Sequence, residues 1–288
     1  MEKQSRNQLC ACGSKLKYKQ CCGATIFVPG TENGPGASRY GGSGASDTGQ
    51  FLHILMPTRG SVTIETTVAI AAVGWSTEDF ARIGLSRATF LYMPRMGVAE
   101  ARERLADAAI RGMEATPSAK HYLLWVDDDA AFTPNDIIGL VNELRRNPQL
   151  GIISCYYCPK TKGHPGFVPK FPRIPGGHES ALMTPGVDFE PHHIIEVPWV
   201  GLHCAVMRGE LLLKMKSPRF PFDQATGCGE DVGFSHRIRE LGYKCAVHAG
   251  IMVPHVDAET GEKFVPDIGS AFLNTSMTVP EIGTEGLA

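Results

Sequence analysis

From Phe51 onward, short apolar runs alternate with segments whose apolar residues recur every three to four positions. An unbroken apolar run of four to eight residues marks a buried strand, and a period near 3.6 marks a helix. Phe51–Met56, stopped by Pro57, therefore reads as a strand, and Val62–Val73 as an apolar helix. Ala88–Met93 is a second strand. Val98, Ala101, Leu105, Ala108, Ala109 and Met113 share one helical face, so Gly97–Ala115 is an amphipathic helix. His121–Val126 is a third strand. Thr133-Pro134-Asn135-Asp136 combines an N-cap residue with proline at the first helical position, and opens a helix that runs to Arg146. Leu150–Tyr156 is a strand, and Val197–Met207 reads as strand, turn, strand. Asp231–Leu241 is a helix closed by Gly242, followed by a strand over Tyr243–His248. Strands alternating with helices predict an α/β fold with a mainly parallel sheet.

That pattern covers 51–265 and leaves three other regions. The first 24 residues hold Lys3, Arg6, Lys15, Lys17 and Lys19 against Glu2, a local charge of +4. Residues 25–50 read as a flexible linker, with seven Gly, two Pro and three Ser in Pro29–Gln50. Residues 266–288 are turn-rich and read as a tail. The whole chain has 288 residues, 43% apolar and 20% charged, with a net charge of −2. This composition excludes disorder throughout, and the bulk charge gives no case for nucleic-acid or membrane binding. No apolar run approaches the roughly 20 residues of a membrane span. No apolar stretch follows the charged start as in a secretory signal. A soluble, cytoplasmic protein is the expectation, inside a bacterial host if a phage encodes it.

Four of the nine cysteines crowd into Cys10-Ala11-Cys12 and Cys21-Cys22. Four thiolates within so short a span can close a tetrahedral site, for which zinc is the default ion. A segment this small has no core, so the metal would supply its folding energy. The spacing, Gly13-Ser14 and the basic Lys17-Tyr18-Lys19 resemble the SEC-C motif over Arg6–Gly23. That zinc knuckle occurs at the tail of the preprotein translocase ATPase and in many unrelated proteins. The resemblance implies a docking module, whose charge suits an acidic protein surface or nucleic acid.

The second cluster is Asp127-Asp128-Asp129, directly after the apolar run His121–Val126. Ligands of α/β sheets bind at the carboxyl ends of the strands. Three adjacent carboxylates repel unless a cation neutralises them or solvent screens them. On an extended backbone Asp127 and Asp129 point the same way and can share one Mn²⁺ or Mg²⁺ that also holds a diphosphate. A solvated turn accounts for the acids taken alone. Three further features of the chain bear on the same chemistry. Gly227-Cys228-Gly229 leads into Glu230 and Asp231 at a helix start, where dipole compensation needs only one acid. His255, a residue type common among metal ligands, follows Ile251–Pro254. Arg102 shares a face with Val98, Leu105 and Ala109, where a cation calls for an anionic partner.

In order, Pro57-Thr58-Arg59-Gly60, Ala101-Arg102, Leu124–Asp129, Val200–Met207, Gly229–Phe234 and Pro254-His255 resemble the GT-A fold glycosyltransferases. The small soluble family-2-like enzymes of bacteria and bacteriophages are the nearest in pattern, over Phe51–Val256. The resemblance implies a GT-A type mixed sheet and transfer of a sugar from a nucleotide-sugar. A carboxylate that takes the acceptor's proton favours an inverting mechanism, and retention stays open beside it. The resemblance also implies Asp127, Asp129 and His255 as ligands of Mn²⁺ or Mg²⁺. Thr58, Arg59, Arg102, Asp127 and Asp128 would contact the donor. Asp231 would be the catalytic base, with Glu230 beside it. Relatives often carry Arg-Asn where this chain has Arg102-Glu103. The acceptor class stays open between protein, glycan and modified nucleic acid. Two other readings compete: a nucleotidyltransferase, disfavoured because no Gly-rich loop followed by Lys lies near residue 58, and an inactive scaffold working through its zinc module. Cys155 and Cys158 read as ordinary strand-end cysteines, and Lys160, Lys162, His164, His192 and His193 as loop residues.

Overall fold

The computed structural model describes residues 49–58, 60–94, 96–164, 166, 168–169, 188–190, 193–221 and 229–267. Cys10, Cys12, Cys21, Cys22, the linker up to residue 48, Arg59, His192, Gly227, Cys228 and the tail from residue 268 lie outside the described residues. The elements run β1 (Gln50–Thr58), α1 (Ile64–Trp75), α2 (Thr77–Arg82), β2 (Leu85–Pro94), α3 (Val98–Glu114), β3 (Lys120–Val126) and α4 (Pro134–Arg146). They continue with β4 (Leu150–Tyr156), β5 (Ile194–Val197), β6 (Cys204–Arg208), α5 (Gly209–Lys214), α6 (Glu230–Glu240), β7 (Lys244–Met252), β8 (His255–Val256) and β9 (Lys263–Phe264).

Seven strands form one mixed, mostly parallel sheet in the order β2-β1-β3-β6-β4-β7-β5, flanked by helices. The sheet is buried on both faces, which is why its central strands read as unbroken apolar runs. Along β3, Leu123 and Trp125 pack into one core cluster with Leu105 and Ala109 of α3 and Phe234 of α6. Tyr122, Leu124 and Val126 pack into the other, with Ile137, Leu140 and Leu144 of α4. Helix α4 begins where the sequence puts it, because Thr133 and Asp136 form a reciprocal capping box with Pro134 behind them.

Two strands run against the parallel majority. β6 lies antiparallel between β3 and β4, and β5 is antiparallel on β7. The segment read as strand, turn, strand over Val197–Met207 is thus two shorter strands with Pro198–His203 between them. The register pairs Val126 with Cys204, so the residue before β6 arrives beside the residue after β3. Asp127 N–H donates to His203 O at 3.0 Å and fixes that meeting. Helices α2 and α5, six residues each, and the hairpin β8–β9 carry too few periods to be read from the pattern.

A polar chain crosses β2, β1 and β3 inside the sheet. Thr116 O is an acceptor, so His121 Nε2 donates to it at 3.1 Å. A neutral His121 then accepts at Nδ1 from His53 Nε2, 3.0 Å away. His53 Nδ1 in turn accepts from Thr89 Oγ1 at 2.8 Å. The carbonyl at one end therefore assigns both tautomers. Burial, the neighbouring His121 and Arg87 push the His53 pKa down to about 3.

Candidate functional site

The parallel strands deliver their carboxyl ends to one rim of the sheet. Asp127 and Asp129 leave β3 there, and His203 enters β6 there. His255 opens β8 and forms a bridge with Ala130. Val256 N–H donates to Asp129 O at 2.8 Å and Ala131 N–H to Pro254 O at 3.0 Å, so the backbone ties the acidic loop to the histidine. Asp127, Asp129, His203 and His255 each offer one ligand atom, all within 4.8 Å of one another. His203 Nδ1 stands 3.6 Å from Asp127 Oδ2 and 3.8 Å from Asp129 Oδ1. His255 Nε2 stands 3.9 Å from Asp129 Oδ1. The two imidazoles lie with centroids 3.6 Å apart, their planes tilted by 31°.

This set fits a divalent cation. Asp129 Oδ1 and His203 Nδ1 are both buried and have no hydrogen-bond partner among the described residues. A buried polar atom left unpaired costs roughly 1–3 kcal/mol, so two facing each other mark a place built for a third body. Carboxylate and imidazole are ordinary ligands of divalent metals.

Arg102 is only 4% exposed on α3, and its partners are the anions its apolar face calls for. Its Nη2 donates to Asp127 Oδ1 at 2.9 Å and its Nη1 to Glu230 Oε1. Burial raises the Asp127 carboxyl, but contact with His203 and the Arg102 charge outweigh it and hold the group at about 2. Burial first, then the adjoining His203, press His255 down to about 4, so its imidazole is neutral at pH 7.

Glu230 and Asp231 start α6. Glu230 is committed to Arg102, whereas Asp231 Oδ1 accepts from Val232 N–H at 2.8 Å. Burial and then the Glu230 charge push the Asp231 carboxyl up to about 6, against the opposing pull of Arg102. Gly229 makes room for it: a Cβ there would lie 2.7 Å from Asp231 Oδ1.

Other residues singled out from the sequence fall around this centre. Thr58, buried at the end of β1, accepts from Gly60 N–H at 3.0 Å. Asp128 is not among the four converging side chains, and its carbonyl accepts from Thr63 N–H at 3.0 Å. Glu103 faces Arg219, whose Nη1 and backbone N–H donate to it at 2.6 and 2.8 Å. Lys160 Nζ pairs with Asp129 Oδ2 at 2.9 Å. Cys155 and Cys158 are buried free thiols, and Cys158 O accepts from His255 Nδ1 at 2.6 Å. His203 is the functional candidate that sequence reasoning missed as a ligand. It sits inside an apolar segment, and only the antiparallel insertion of β6 brings it to the acids. Tyr157 packs on both imidazoles, with ring centroids 5.0 Å from His203 and 5.4 Å from His255.

A cleft of about 120 Å³ lies elsewhere, between α1, α2 and β2. Apolar residues such as Ile54, Val73 and Phe80 line it together with Thr77, Ser86, Arg87 and Thr89, and it shares no residue with the carboxylate centre. Among the described residues, no helix is long and apolar enough to cross a membrane.

Comparison with known proteins adds the following. Residues 6–24 match the SEC-C motif, a metal-binding motif. No curated protein matches the chain. A solved structure of A197 from STIV is similar at 17% identity and a TM-score of 0.46, covering 75% of this chain and 93% of that one. A glycosyltransferase involved in the glycosylation of the major capsid of PBCV-1 is similar at 13% identity and a TM-score of 0.30, covering 68% and 80%. A CMP:2-keto-3-deoxy-manno-octonic acid synthetase complexed with CTP is similar at 11% identity and a TM-score of 0.33, covering 68% and 88%.

Proposed function

We propose that this chain is a metal-dependent glycosyltransferase that moves a sugar from a nucleotide-sugar to an acceptor hydroxyl, with inversion. The observation that carries the reading is that one guanidinium, Arg102, joins a four-residue set able to hold a metal to the helix start that carries a second, half-buried carboxyl, Asp231. The two parts correspond to the two demands of the reaction. A divalent ion bound by Asp127, Asp129, His203 and His255 would neutralise charge on a diphosphate leaving group. Asp231 is then the base. At pH 7 a carboxyl near 6 is ionised, yet basic enough to take the proton of an attacking hydroxyl.

Arg102 keeps the two parts in register, because one guanidinium grips the acid after β3 and the acid that starts α6. Thr58, Arg59 and Asp128 are assigned to the nucleotide side of the donor. Cys10, Cys12, Cys21 and Cys22 are assigned to a zinc ion, and their +4 segment to docking on an acidic protein surface or nucleic acid. Metal-dependent hydrolysis of a panel of nucleotide-sugars tests the activity, because many transferases slowly hydrolyse their donor. Release of nucleoside diphosphate with Mn²⁺, abolished by chelation, is the expected result. Release of pyrophosphate from a nucleoside triphosphate and a sugar phosphate would instead make the chain a nucleotidyltransferase. No turnover of either kind would leave a binding scaffold.

A further inference from the structure

We propose that His203 is a working fourth ligand that makes the centre a resident transition-metal site: it holds Mn²⁺ without any nucleotide and discriminates against Mg²⁺. The inference rests on the metal reading above, and extends it from the presence of an ion to its identity and retention.

Each of the four side chains is gripped from outside on one polar atom. Arg102 Nη2 holds Asp127 Oδ1 and Lys160 Nζ holds Asp129 Oδ2, both at 2.9 Å. Cys158 O accepts from His255 Nδ1 at 2.6 Å, and Pro254 O accepts from His203 Nε2 at 3.3 Å. Carbonyl oxygens only accept, so the outward nitrogens carry the protons and the inward ones carry lone pairs when the rings are neutral. Outer partners of this kind fix the tautomer and aim of ligating histidines.

What faces inward is then Asp127 Oδ2, Asp129 Oδ1, His203 Nδ1 and His255 Nε2. All four are acceptors, 3.6–3.9 Å apart across the contacts given above. His203 is 1% exposed, and its Nδ1 has no hydrogen-bond partner among the described residues. Four acceptors with no donor between them among the described residues repel in a half-buried place, and a cation at their centre turns each repulsion into a bond.

The donor set decides which cation. Two imidazoles beside two carboxylates favour the first-row divalent transition ions, of which Mn²⁺ is the weakest binder, over Mg²⁺, which seeks oxygen ligands and keeps several waters. Positioning comes from the fold: the Val126–Cys204 register sets His203, and the Ala130–His255 bridge sets His255. Such a site needs no phosphate to complete its grip.

Titration of the full-length protein with Mn²⁺, following the free-ion paramagnetic resonance signal with no nucleotide present, tests this. Soft thiolates are poor Mn²⁺ ligands, so the N-terminal motif does not interfere. The wild type should remove one Mn²⁺ per chain from solution, and a hundredfold excess of Mg²⁺ should not release it. His203→Asn should weaken Mn²⁺ binding by about 100-fold or more, at or beyond the cost of losing an outer partner. Mn²⁺ should also raise the melting temperature of the wild type, a measurement that needs no variant. The proposal fails if Mn²⁺ stays free until a nucleotide is added, if Mg²⁺ displaces it at equal concentration, or if His203→Asn binds it like wild type. Firm Mn²⁺ binding without turnover of any nucleotide-sugar would overturn the transferase reading alone. Turnover with no resident ion would overturn this one alone.

Discussion

Arg102 donates to Asp127 across 2.9 Å, joining the face of α3 to the first acid after β3. Its other arm is on Glu230, so removing it strands two carboxylates in a poorly solvated place. Breaking a buried pair in this way costs roughly 3–5 kcal/mol. Arg102→Met is expected to lose about that much stability in urea unfolding. Arg102→Lys should recover only part, since one ammonium cannot reproduce a planar fork on two acids. A midpoint for Arg102→Met equal to wild type would show that the clamp holds nothing together.

Asp231 sets the acid limb of the pH profile. Its carboxyl, pushed up to about 6, accepts a proton only when ionised. The rate constant kcat/KM should therefore fall about tenfold per unit below pH 6. Asp231→Asn keeps the shape and should leave Mn²⁺ and donor binding in place, while transfer drops by roughly 10²–10⁴. If Asp231 served only the helix dipole, asparagine would cost about 0.3–1 kcal/mol of stability and spare turnover. Calorimetric donor titration beside a pH-rate profile separates the two.

The parts of the site that were legible in the sequence are those that break a local rule. Three acids ending an apolar strand, and an arginine on an apolar helix face, each demand a partner wherever the chain folds. Which partner answers is a tertiary fact. Nothing within Val200–Met207 states that β6 runs antiparallel between β3 and β4, and His203 is placed by that insertion alone. Elements obey the same division. The start of α4 is written in Thr133, Pro134 and Asp136, whereas α5 is six residues, under two turns, too short for a repeat to show.

His53 makes the sheet sensitive to acid. Its pKa falls from an ordinary 6.5 to about 3, because burial and the adjoining His121 disfavour the charged ring. The folded state thus binds fewer protons than the unfolded chain between those values. The stabilisation is complete above pH 6.5 and is lost as pH falls toward 3, by up to about 1.4 kcal/mol per pH unit for one proton. His53→Gln can still donate to His121 Nδ1 but does not titrate. Urea midpoints at pH 7, 5.5 and 4.5 should fall less steeply in this variant; parallel slopes would refute the assignment.

Zinc content and the stability of the large domain should separate. Gly49 O accepts from Lys120 N–H at 3.0 Å and Gln50 Oε1 from Arg145 at 2.7 Å, so a chain starting at Gly49 keeps the contacts of β1. Deletion of residues 1–48 is expected to lower the zinc content by one ion per chain, whatever the four-residue centre takes up, and leave cooperative unfolding of the remainder. In the full chain, Cys21→Ser with Cys22→Ser should lower it by the same one ion in elemental analysis. A zinc content unchanged by those changes, or a truncated protein that melts without cooperativity, would place the boundary or the ligands elsewhere.

Gly201 is the most exacting position around the metal set. A Cβ there would lie 1.6 Å from Tyr157 Oη and 2.6 Å from Cζ, which no side-chain rotation at residue 201 can relieve. Tyr157 must move, and its ring packs on both His203 and His255. Gly201→Ala should therefore cost about 1–3 kcal/mol by overpacking. It should also weaken Mn²⁺ binding, because the wall behind both imidazoles shifts. Tyr157→Phe in the same chain deletes the nearest clashing atom and should restore part of the Mn²⁺ affinity. That rescue is the diagnostic result. Simple loss of stability would leave metal binding unmoved in the folded fraction, whereas a displaced Tyr157 makes the two quantities fall and recover together. Mn²⁺ titration and thermal melting of the wild type, the single variant and the double variant would read both. A Gly201→Ala protein that melts lower yet binds Mn²⁺ like wild type would show that Tyr157 does not position the histidines.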